Sequence, residues 1–402
     1  MKNDNKKAGT AETVTGSFDT ELVQTVSSDS LNEKLLPQQN FPSVAPIDGA
    51  DLLDRIRELL LRFIKYPSDA TCVAHVLWIV HTHLISAFFT TPRLGVLSSG
   101  PGSGKTRLLE ITALLAARVI FSVSSSPAYI IRKIKSSVEP PTILYDEIDG
   151  IFGPNGDGNE FLRTAFNAGY RRGATVGRCY SEKGKILTEE LEVFCPLAIG
   201  GLGELPETIM DRSIIIQMQK CLPDERVESF RPKVHEPEVG LLYDELCLWA
   251  ASVLSKAGSH DPILPDCIKD RNADVWGPLI ATADLAGGHW PVTVREVAVE
   301  LVSKRKAEAE PPLGIKLLAD IRTCFGVRDT VSTKGLIDFL LADDEAPWGD
   351  LRGKKIDPRK LGGMLRPYGI KSETIREGDV TCKGYKLESF YDAWKRYLPE
   401  VS

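Results

Sequence analysis

A glycine-rich segment, SSGPGSGKTR at residues 98–107, constrains the fold of this chain more than any other feature. The residues RLGVL before it predict a short buried strand, and TRLLEITALLAARV, which begins inside it, predicts a helix. Glycines let successive backbone N–H groups face a phosphate, and the N-terminus of a helix adds positive potential. The segment therefore predicts a phosphate-binding loop between a strand and a helix.

Two residues of this loop carry the predicted chemistry. Lys105 is expected to pair with the β- and γ-phosphates of ATP, and Thr106 is expected to hold Mg²⁺ through its hydroxyl. The strict pattern GxxxxGK[ST] has a glycine where this chain has Ser99, and the glycine follows one residue later. The alternative is a glycine-rich turn without a ligand. The other predicted ATP-binding residues of the loop are Gly100, Pro101, Gly102, Ser103, Gly104 and Arg107.

A second motif, TILYDEID, follows about forty residues after Lys105. Its apolar residues predict a buried strand, and ligands gather at the carboxyl ends of strands in open α/β sheets. Asp146 is therefore expected to hold Mg²⁺ through water, and Glu147 to polarise the attacking water as general base. The alternative for this acidic pair is the solvated N-terminus of a helix.

The composition indicates a globular chain without membrane or secretory segments. Hydrophobic residues make up 43% of the 402 residues and charged residues 26%, and no apolar run reaches the length of a membrane span. The N-terminus has no apolar signal region, and the eight cysteines form no CxxC pair, so we expect a cytoplasmic protein with reduced thiols. A net charge of −6 argues against a chain that coats nucleic acid indiscriminately.

The pattern along the chain changes several times. The first segment is polar and predicts a disordered tail. Strands then alternate with helices, which predicts a parallel sheet covered on both faces. Three helices and a separate α/β unit follow. The predicted boundaries are 1–46 for the tail, 47–92 for N-terminal helices, 93–233 for the α/β core, 234–310 for the helical subdomain and 313–402 for the C-terminal domain.

The segment LAIGGLGELPETIMDRSIIIQM resembles the end of the core in AAA+ ATPases, where an arginine before the last strand reaches the ATP of the neighbouring subunit. This resemblance implies such a role for Arg212, which would neutralise charge on the γ-phosphate. The alternative is a structural arginine that caps the short helix. Gly200 and Gly201 stand where the family places a polar sensor. For the arginine of the helical lid, Arg295 is the candidate and Arg271 its competitor.

Longer stretches resemble one uncharacterised bacterial and phage ATPase family, domain of unknown function 3631. They include TTPRLGVLSSGPGSGKTRLLE, ILYDEIDGIFG, FNAGYRRGATVGR, ADLAGGHWP and GYKLESFYDAWKRYL. Members resemble the helicase parts of mobile-element primase–helicases. The resemblance implies an AAA+ P-loop NTPase fold with a parallel sheet core, a helical lid and a C-terminal winged-helix-like domain. It also implies a homo-oligomer, in the form of a ring, that acts on DNA.

Two basic regions are candidates for contact with nucleic acid. ATVGRCYS and KILTEELEVF predict a hairpin around EKGK, where Lys183 and Lys185 are expected to hold phosphates of a single strand, with a solvated hairpin as the alternative. Arg171 and Arg172 precede it and are expected to contact nucleotide or DNA. In the C-terminal domain, Arg359 and Lys360 lie on the predicted recognition helix. This domain is alternatively a docking module for a protein partner.

Three functions remain open from the sequence. The leading hypothesis is an oligomeric AAA+ ATPase that moves on or remodels DNA during replication of a phage or mobile element. The second is a slow ATPase whose nucleotide state controls a protein partner in replication initiation, helicase loading or phage defence, which the absent polar sensor favours. A kinase of a small substrate is a third hypothesis, but it explains neither Arg212 nor the C-terminal domain.

Overall fold

The computed structural model describes residues 46–398, except for 123–126, 147–159, 183–184, 204, 223, 226, 309–311, 344, 352 and 378–379. The predicted tail, apart from Pro46, lies outside these residues, as do Glu147 and Lys183. The described residues from 47 onward belong to one unit. Within the described part of the chain, no helix has the length and apolar content needed to cross a bilayer.

Two capped helices open the described chain. The carboxylate of Asp48 accepts a hydrogen bond from the N–H of Ala50 at 2.9 Å and caps α1, Gly49–Phe63. Ser68 and Thr71 form a capping box at the start of α2, Asp69–His83, and a 3₁₀ turn follows at Ile85–Ala87. Nearly all of α2 is buried, so this helix lies at the centre of the first core.

A five-stranded parallel sheet confirms the prediction of an α/β fold. Its strand order is β2-β3-β6-β1-β7, which leaves β2 and β7 at the edges. The antiparallel hairpin β4–β5 stands apart from this sheet and pairs Glu182 with Lys185 at its end. The elements are β1 Arg93–Ser98, α3 Lys105–Leu115, β2 Val119–Ser122, α4 Pro127–Ser136, β3 Thr142–Tyr145, α5 Glu160–Ala168, β4 Thr175–Glu182, β5 Lys185–Glu192, β6 Leu197–Leu202, α6 Glu207–Met210 and β7 Ser213–Gln217.

Three helices and a smaller α/β region follow β7. The helices are α7 Pro232–Ser259, α8 Arg271–Ala286 and α9 Trp290–Glu308, and they pack on α1 and α2. The smaller region has its own core and a sheet of order β8-β10-β9. Its elements are α10 Leu313–Phe325, β8 Thr330–Ser332, α11 Thr333–Leu341, α12 Pro358–Leu365, β9 Glu373–Glu377, β10 Val380–Lys386 and α13 Tyr391–Tyr397, with 3₁₀ turns at Pro347–Gly349, Arg366–Tyr368 and Leu387–Phe390.

Arg93 is a buried cation that the sequence analysis did not single out. It begins β1 and is 1% exposed. Its guanidinium donates to the backbone carbonyl oxygen of Phe166 at 2.9 Å and to that of Cys195 at 2.5 Å. Burial lowers the pKa of Arg93 to about 10. These hydrogen bonds tie the start of the central strand to the end of α5 and to the segment before β6.

The histidines of α2 are structural, as the sequence analysis expected for His81 and His83. Thr112 donates its hydroxyl hydrogen to Leu108 O, so it accepts from His75 Nε2, and His75 Nδ1 accepts from the Tyr66 hydroxyl at 2.6 Å. This relay joins α2 to α3 through the neutral form of His75. The ring of His83 lies 2.7 Å from the Leu115 carbonyl oxygen at the end of α3.

Acid should destabilise the protein through these histidines. Burial lowers the pKa of His75 and His81 to about 3 and that of His83 to about 4. In the unfolded chain histidine titrates near 6.5, so below this pH the unfolded state binds more protons. We expect the free energy of unfolding to fall by up to about 4 kcal/mol per pH unit between roughly pH 6 and 4, or about 1.4 per histidine.

Urea unfolding at pH 7.5, 6.5 and 5.5 checks this expectation. In His83→Gln the pH slope should fall by about a third, because one of the three titrating groups is removed. Equal stability of the unchanged protein at all three pH values would contradict it.

Candidate functional site

The glycine-rich loop lies at the carboxyl end of β1, the strand between β6 and β7. Gly102 and Gly104 have φ angles of 77° and 87°, in the left-handed region that glycine adopts without strain. Gly104 precedes the first residue of α3, and no side chain caps this helix. The first backbone N–H groups of α3 therefore remain without a side-chain acceptor, as an anion-binding helix terminus requires.

Lys105, the first residue of α3, is held by hydroxyl groups. Its Nζ donates to Ser98 Oγ at 2.5 Å and lies 3.5 Å from Ser103 Oγ. Ser98 in turn donates to the Gly100 carbonyl oxygen at 2.7 Å. Within the described residues no carboxylate forms an ion pair with this ammonium group, so its charge remains available to an anion.

Thr106 and Asp146 come together although they lie 40 residues apart in sequence. Asp146 directly follows β3, is 9% exposed and accepts a hydrogen bond from the Thr106 hydroxyl at 3.1 Å. A hydroxyl and a carboxylate oxygen are ligands that Mg²⁺ prefers, so this pair fits the predicted metal. Glu147, the predicted base, lies outside the described residues.

Gly200 lies against Asp146. A Cβ atom at Gly200 would lie 2.7 Å from Asp146 Oδ1 and 2.8 Å from Leu109 Cδ1. The carboxylate and the helix α3 therefore occupy the space that a side chain at this position of β6 would need. This contact explains why glycine stands where the AAA+ resemblance led us to look for a polar residue. A glycine inside a buried strand is itself a signal of such a close approach.

Residues after β7 line the other side of the loop, and the sequence analysis missed them. A Cβ atom at Gly104 would lie 3.5 Å from Met218 Cε, and one at Gly102 would lie 3.9 Å from Lys220 Cε. Lys220 thus brings a second cation near the loop. Arg107 donates to the Phe230 carbonyl oxygen at 3.1 Å, and its guanidinium lies 5.5 Å from the centroid of that ring.

Arg212 lies at the opposite edge of the sheet from the loop. Its carbonyl oxygen accepts from the N–H of Arg93 at the start of β1, whereas the loop follows the end of this strand. At about 3.3 Å per residue, the length of β1 separates them by roughly 17–20 Å. Arg212 therefore cannot reach an anion in the loop of its own chain.

The side chain of Arg212 has local partners. Its guanidinium lies 4.7 Å from the ring centroid of Tyr170, and Nη1 donates to the Thr208 carbonyl oxygen in α6. The latter contact is the capping role considered above as the alternative. Its Nε is buried and has no hydrogen-bond acceptor among the described residues.

The preceding residue, Asp211, joins this turn to the helices α8 and α9. Arg305 donates through Nη2 to Asp211 Oδ1 at 2.8 Å and through Nη1 to the Met210 carbonyl oxygen at 2.7 Å. Arg271, at the start of α8, pairs with Asp211 Oδ2. The turn that carries Arg212 is therefore anchored to two helices of the following region.

Arg295, the candidate for the lid arginine, is engaged within the helical region. Nη1 and Nη2 contact the two carboxylate oxygens of Asp284 at 2.6 and 2.9 Å, and Nε donates to the Ile263 carbonyl oxygen. The hydrogen bond from Asp284 raises the pKa of Arg295. Burial raises the pKa of Asp284, but the hydrogen bonds from Arg295 and His260 outweigh it and lower that pKa. Contact with a nucleotide would require this bidentate pair to open.

The C-terminal part of the chain matches a described family. The model of the family "Protein of unknown function (DUF3631)" matches residues 217–397. A protein of Saccharopolyspora erythraea, "Uncharacterized 28.9 kDa protein in xis 5'region", is 35% identical over 185 residues, which cover 46% of this chain and 70% of that protein. The chain belongs to the DUF3631 family. The family match begins at the end of β7, so the loop and Asp146 lie outside the matched range.

Solved structures resemble this DUF3631 protein over much of its length. The A form apo structure of the NrS-1 C terminal region has 10% identity and a TM-score of 0.40, with 86% of this chain and 77% of that chain covered. A ligand complex of JCV helicase has 11% identity and a TM-score of 0.24, with 70% and 74% covered. The family description names no activity, so the function of this DUF3631 protein must be argued from its own residues.

Arg171 and Arg172 lie between the sheet and the hairpin β4–β5. Arg171 forms an isolated β-bridge with Thr90. The guanidinium of Arg172 donates to the carbonyl oxygens of Ile85 and Phe88 and lies 4.6 Å from the ring centroid of Phe194. Arg172 thus has a structural role that its place in the sequence did not indicate.

The other predicted nucleic-acid residues differ in their surroundings. Lys185 is exposed at the end of the hairpin β4–β5. Arg359 is exposed in the first turn of α12, whereas the Nζ of Lys360 donates to the Leu351 carbonyl oxygen at 2.8 Å. Of the C-terminal pair, only Arg359 presents its cation without a hydrogen bond among the described residues.

Proposed function

We propose that this protein binds ATP with Mg²⁺ and hydrolyses it. The observation that carries this proposal is the contact between Thr106 and Asp146 at the mouth of a glycine-rich loop, beside the ammonium group of Lys105. A phosphate chain and its metal need these groups together: backbone N–H donors, one cation, a hydroxyl and a carboxylate. The site lies at the carboxyl edge of a parallel sheet, where α/β folds bind ligands.

Each residue has a distinct task in the proposed reaction. The N–H groups of the loop and Lys105 bind the phosphates, and Thr106 and Asp146 hold Mg²⁺, which supplies positive charge to the β- and γ-phosphate oxygens. Glu147 accepts a proton from the attacking water as its oxygen bonds to the γ-phosphorus. The bond from this phosphorus to the bridging oxygen breaks, and ADP and phosphate result.

We further propose that the active form is a homo-oligomer, a ring of AAA+ type, in which Arg212 serves the site of a neighbour. Its place at the far edge of the sheet supports this, because Arg212 cannot serve its own loop. The ring would act on DNA, with the tip of the hairpin β4–β5 and the winged-helix-like C-terminal region as contact surfaces. Replication of a phage or mobile element is the proposed setting.

The ATPase rate with and without single-stranded DNA tests this function. At low salt we expect DNA to raise the rate several-fold, because a motor couples turnover to its track. The Glu147→Gln variant should bind ATP but not turn it over. No hydrolysis by the unchanged protein under any of these conditions would refute the ATPase.

A switch that controls a protein partner is the second candidate function. The packing of Gly200 against Asp146 favours it, because no polar side chain from this position can orient water. Slow hydrolysis that is indifferent to single-stranded and duplex DNA would support the switch over the motor.

A further inference from the structure

The outer face of α4 combines one aromatic ring with positive charge. Ile130, Ile131 and Ile134 anchor the helix in the core, whereas Tyr129, Arg132, Lys133 and Ser136 are exposed. Their spacing of three and four residues places them along one side of the helix. The helix carries three cations, the third being Lys135, and no carboxylate. In a chain with a net charge of −6, this is a local reversal of sign.

An open groove of about 870 Å³ runs between this face and β2, an edge strand of the five-stranded sheet. Its lining includes Phe121 of β2, Tyr129 and Lys133 of α4, and Val138. Phe121 and Tyr129 are 41% and 47% exposed. The groove thus offers flat apolar surfaces beside cations, without being a closed cavity for a small ligand.

The cations around this groove differ in their partners. Arg118 pairs with Glu139 at 2.8 Å, and Lys135 pairs with Glu189 of the hairpin strand β5 at 2.7 Å. Arg132 and Lys133 form no ion pair within the described residues, and Lys133 Nζ lies 5.8 Å from the ring centroid of Tyr129. Two cations are therefore available to an external anion, next to an exposed ring.

We propose that this face of α4, with Tyr129, Arg132 and Lys133, binds single-stranded nucleic acid. Arg132 and Lys133 contact backbone phosphates, and Tyr129 stacks on an unpaired base. A single strand fits better than a duplex, because only unpaired bases expose the ring faces that stacking requires. The proposal takes its ligand class from the proposed action on DNA, but binding here needs no ATP. The surface is separate from the predicted contacts at Lys185 and Arg359.

Fluorescence anisotropy with a labelled oligothymidylate and the full chain, without nucleotide, tests this inference. In Arg132→Gln/Lys133→Gln we expect about tenfold weaker binding at low salt. The slope of log K against log salt should fall by about 1.4, because each lost phosphate contact on a single strand removes about 0.7. Tyr129→Ala should also weaken binding about tenfold but leave this slope unchanged, since stacking releases no counterions.

Lys256→Gln/Lys304→Gln, which changes two exposed lysines of α7 and α9, is the matched control and should bind as the unchanged protein does. Lys105→Ala should retain oligonucleotide binding, so a failure of the ATP site is distinguishable from a failure of this surface. Unchanged affinity and slope in the α4 variants would overturn the proposal. So would weak oligonucleotide binding in a protein whose α4 face binds an acidic peptide instead.

Discussion

Replacing Lys105 with alanine will abolish measurable ATP binding, or weaken it at least about 100-fold. Charge-assisted hydrogen bonds contribute about 1.5–3 kcal/mol each, and Lys105 is expected to make two of them to the β- and γ-phosphates. Its present acceptors, Ser98 and Ser103, are neutral, so the change leaves no buried carboxylate unpaired. The folded structure should therefore persist. Titration with a fluorescent ATP analogue in the presence of Mg²⁺ measures the effect.

Two further variants sharpen this experiment. Ser98→Ala removes the hydroxyl that holds the ammonium group 2.5 Å away, and it should weaken binding less than the loss of the charge does. Lys256→Ala changes an exposed lysine on α7 and should have no effect. ATP affinity in Lys105→Ala equal to that of the unchanged protein would mean that the loop is not the phosphate site.

Mixing two inactive variants will restore ATP hydrolysis. Arg212→Ala and Glu147→Gln should each hydrolyse ATP at least about 100-fold more slowly than the unchanged protein, since one loses the charge that stabilises the transition state and the other the base. In a mixed oligomer, some interfaces contain an intact Arg212 from one chain and an intact Glu147 from the next. A steady-state ATPase assay on mixtures at constant total concentration measures this recovery.

The control for this mixture carries both changes in one chain. Arg212→Ala mixed with Arg212→Ala/Glu147→Gln has no intact arginine and should remain inactive. If Arg212 only caps α6 through Thr208, its alanine variant should lose thermal stability and mixing should restore nothing. Absent recovery, together with a monomer at working concentrations, would contradict the oligomeric mechanism.

Much of the fold follows from local sequence patterns. Short apolar runs alternate with helical periodicity from β1 to β7, and such alternation leads to a parallel sheet because each crossover helix must cover a face. The glycine-rich loop was equally predictable, since all its residues are neighbours in the chain and its backbone needs glycines at Gly102 and Gly104. The meeting of Asp146 with Thr106 followed from one rule: parallel strands end at the same edge.

Other features depend on side chains that are distant in sequence. The roles of Arg172 and Arg295 changed most: both are charged residues in helix-rich or loop segments, where solvent exposure is the usual expectation, yet backbone carbonyls or Asp284 bind their guanidinium groups. No local pattern indicates which carbonyl will lie unpaired beside an arginine, because this depends on how α2, the hairpin and the last helices pack.

The sequence by itself determined the parallel sheet, the loop and the residues that face a phosphate, because these depend on backbone conformation over a few neighbouring positions. Only the tertiary structure decided that Gly200 makes room for Asp146, that Asp211 ties the turn of Arg212 to α8 and α9, and that Arg132 and Lys133 lie beside an open groove. Each of these depends on contacts across the fold, which are set by the packing of whole elements and leave no periodic mark in the chain.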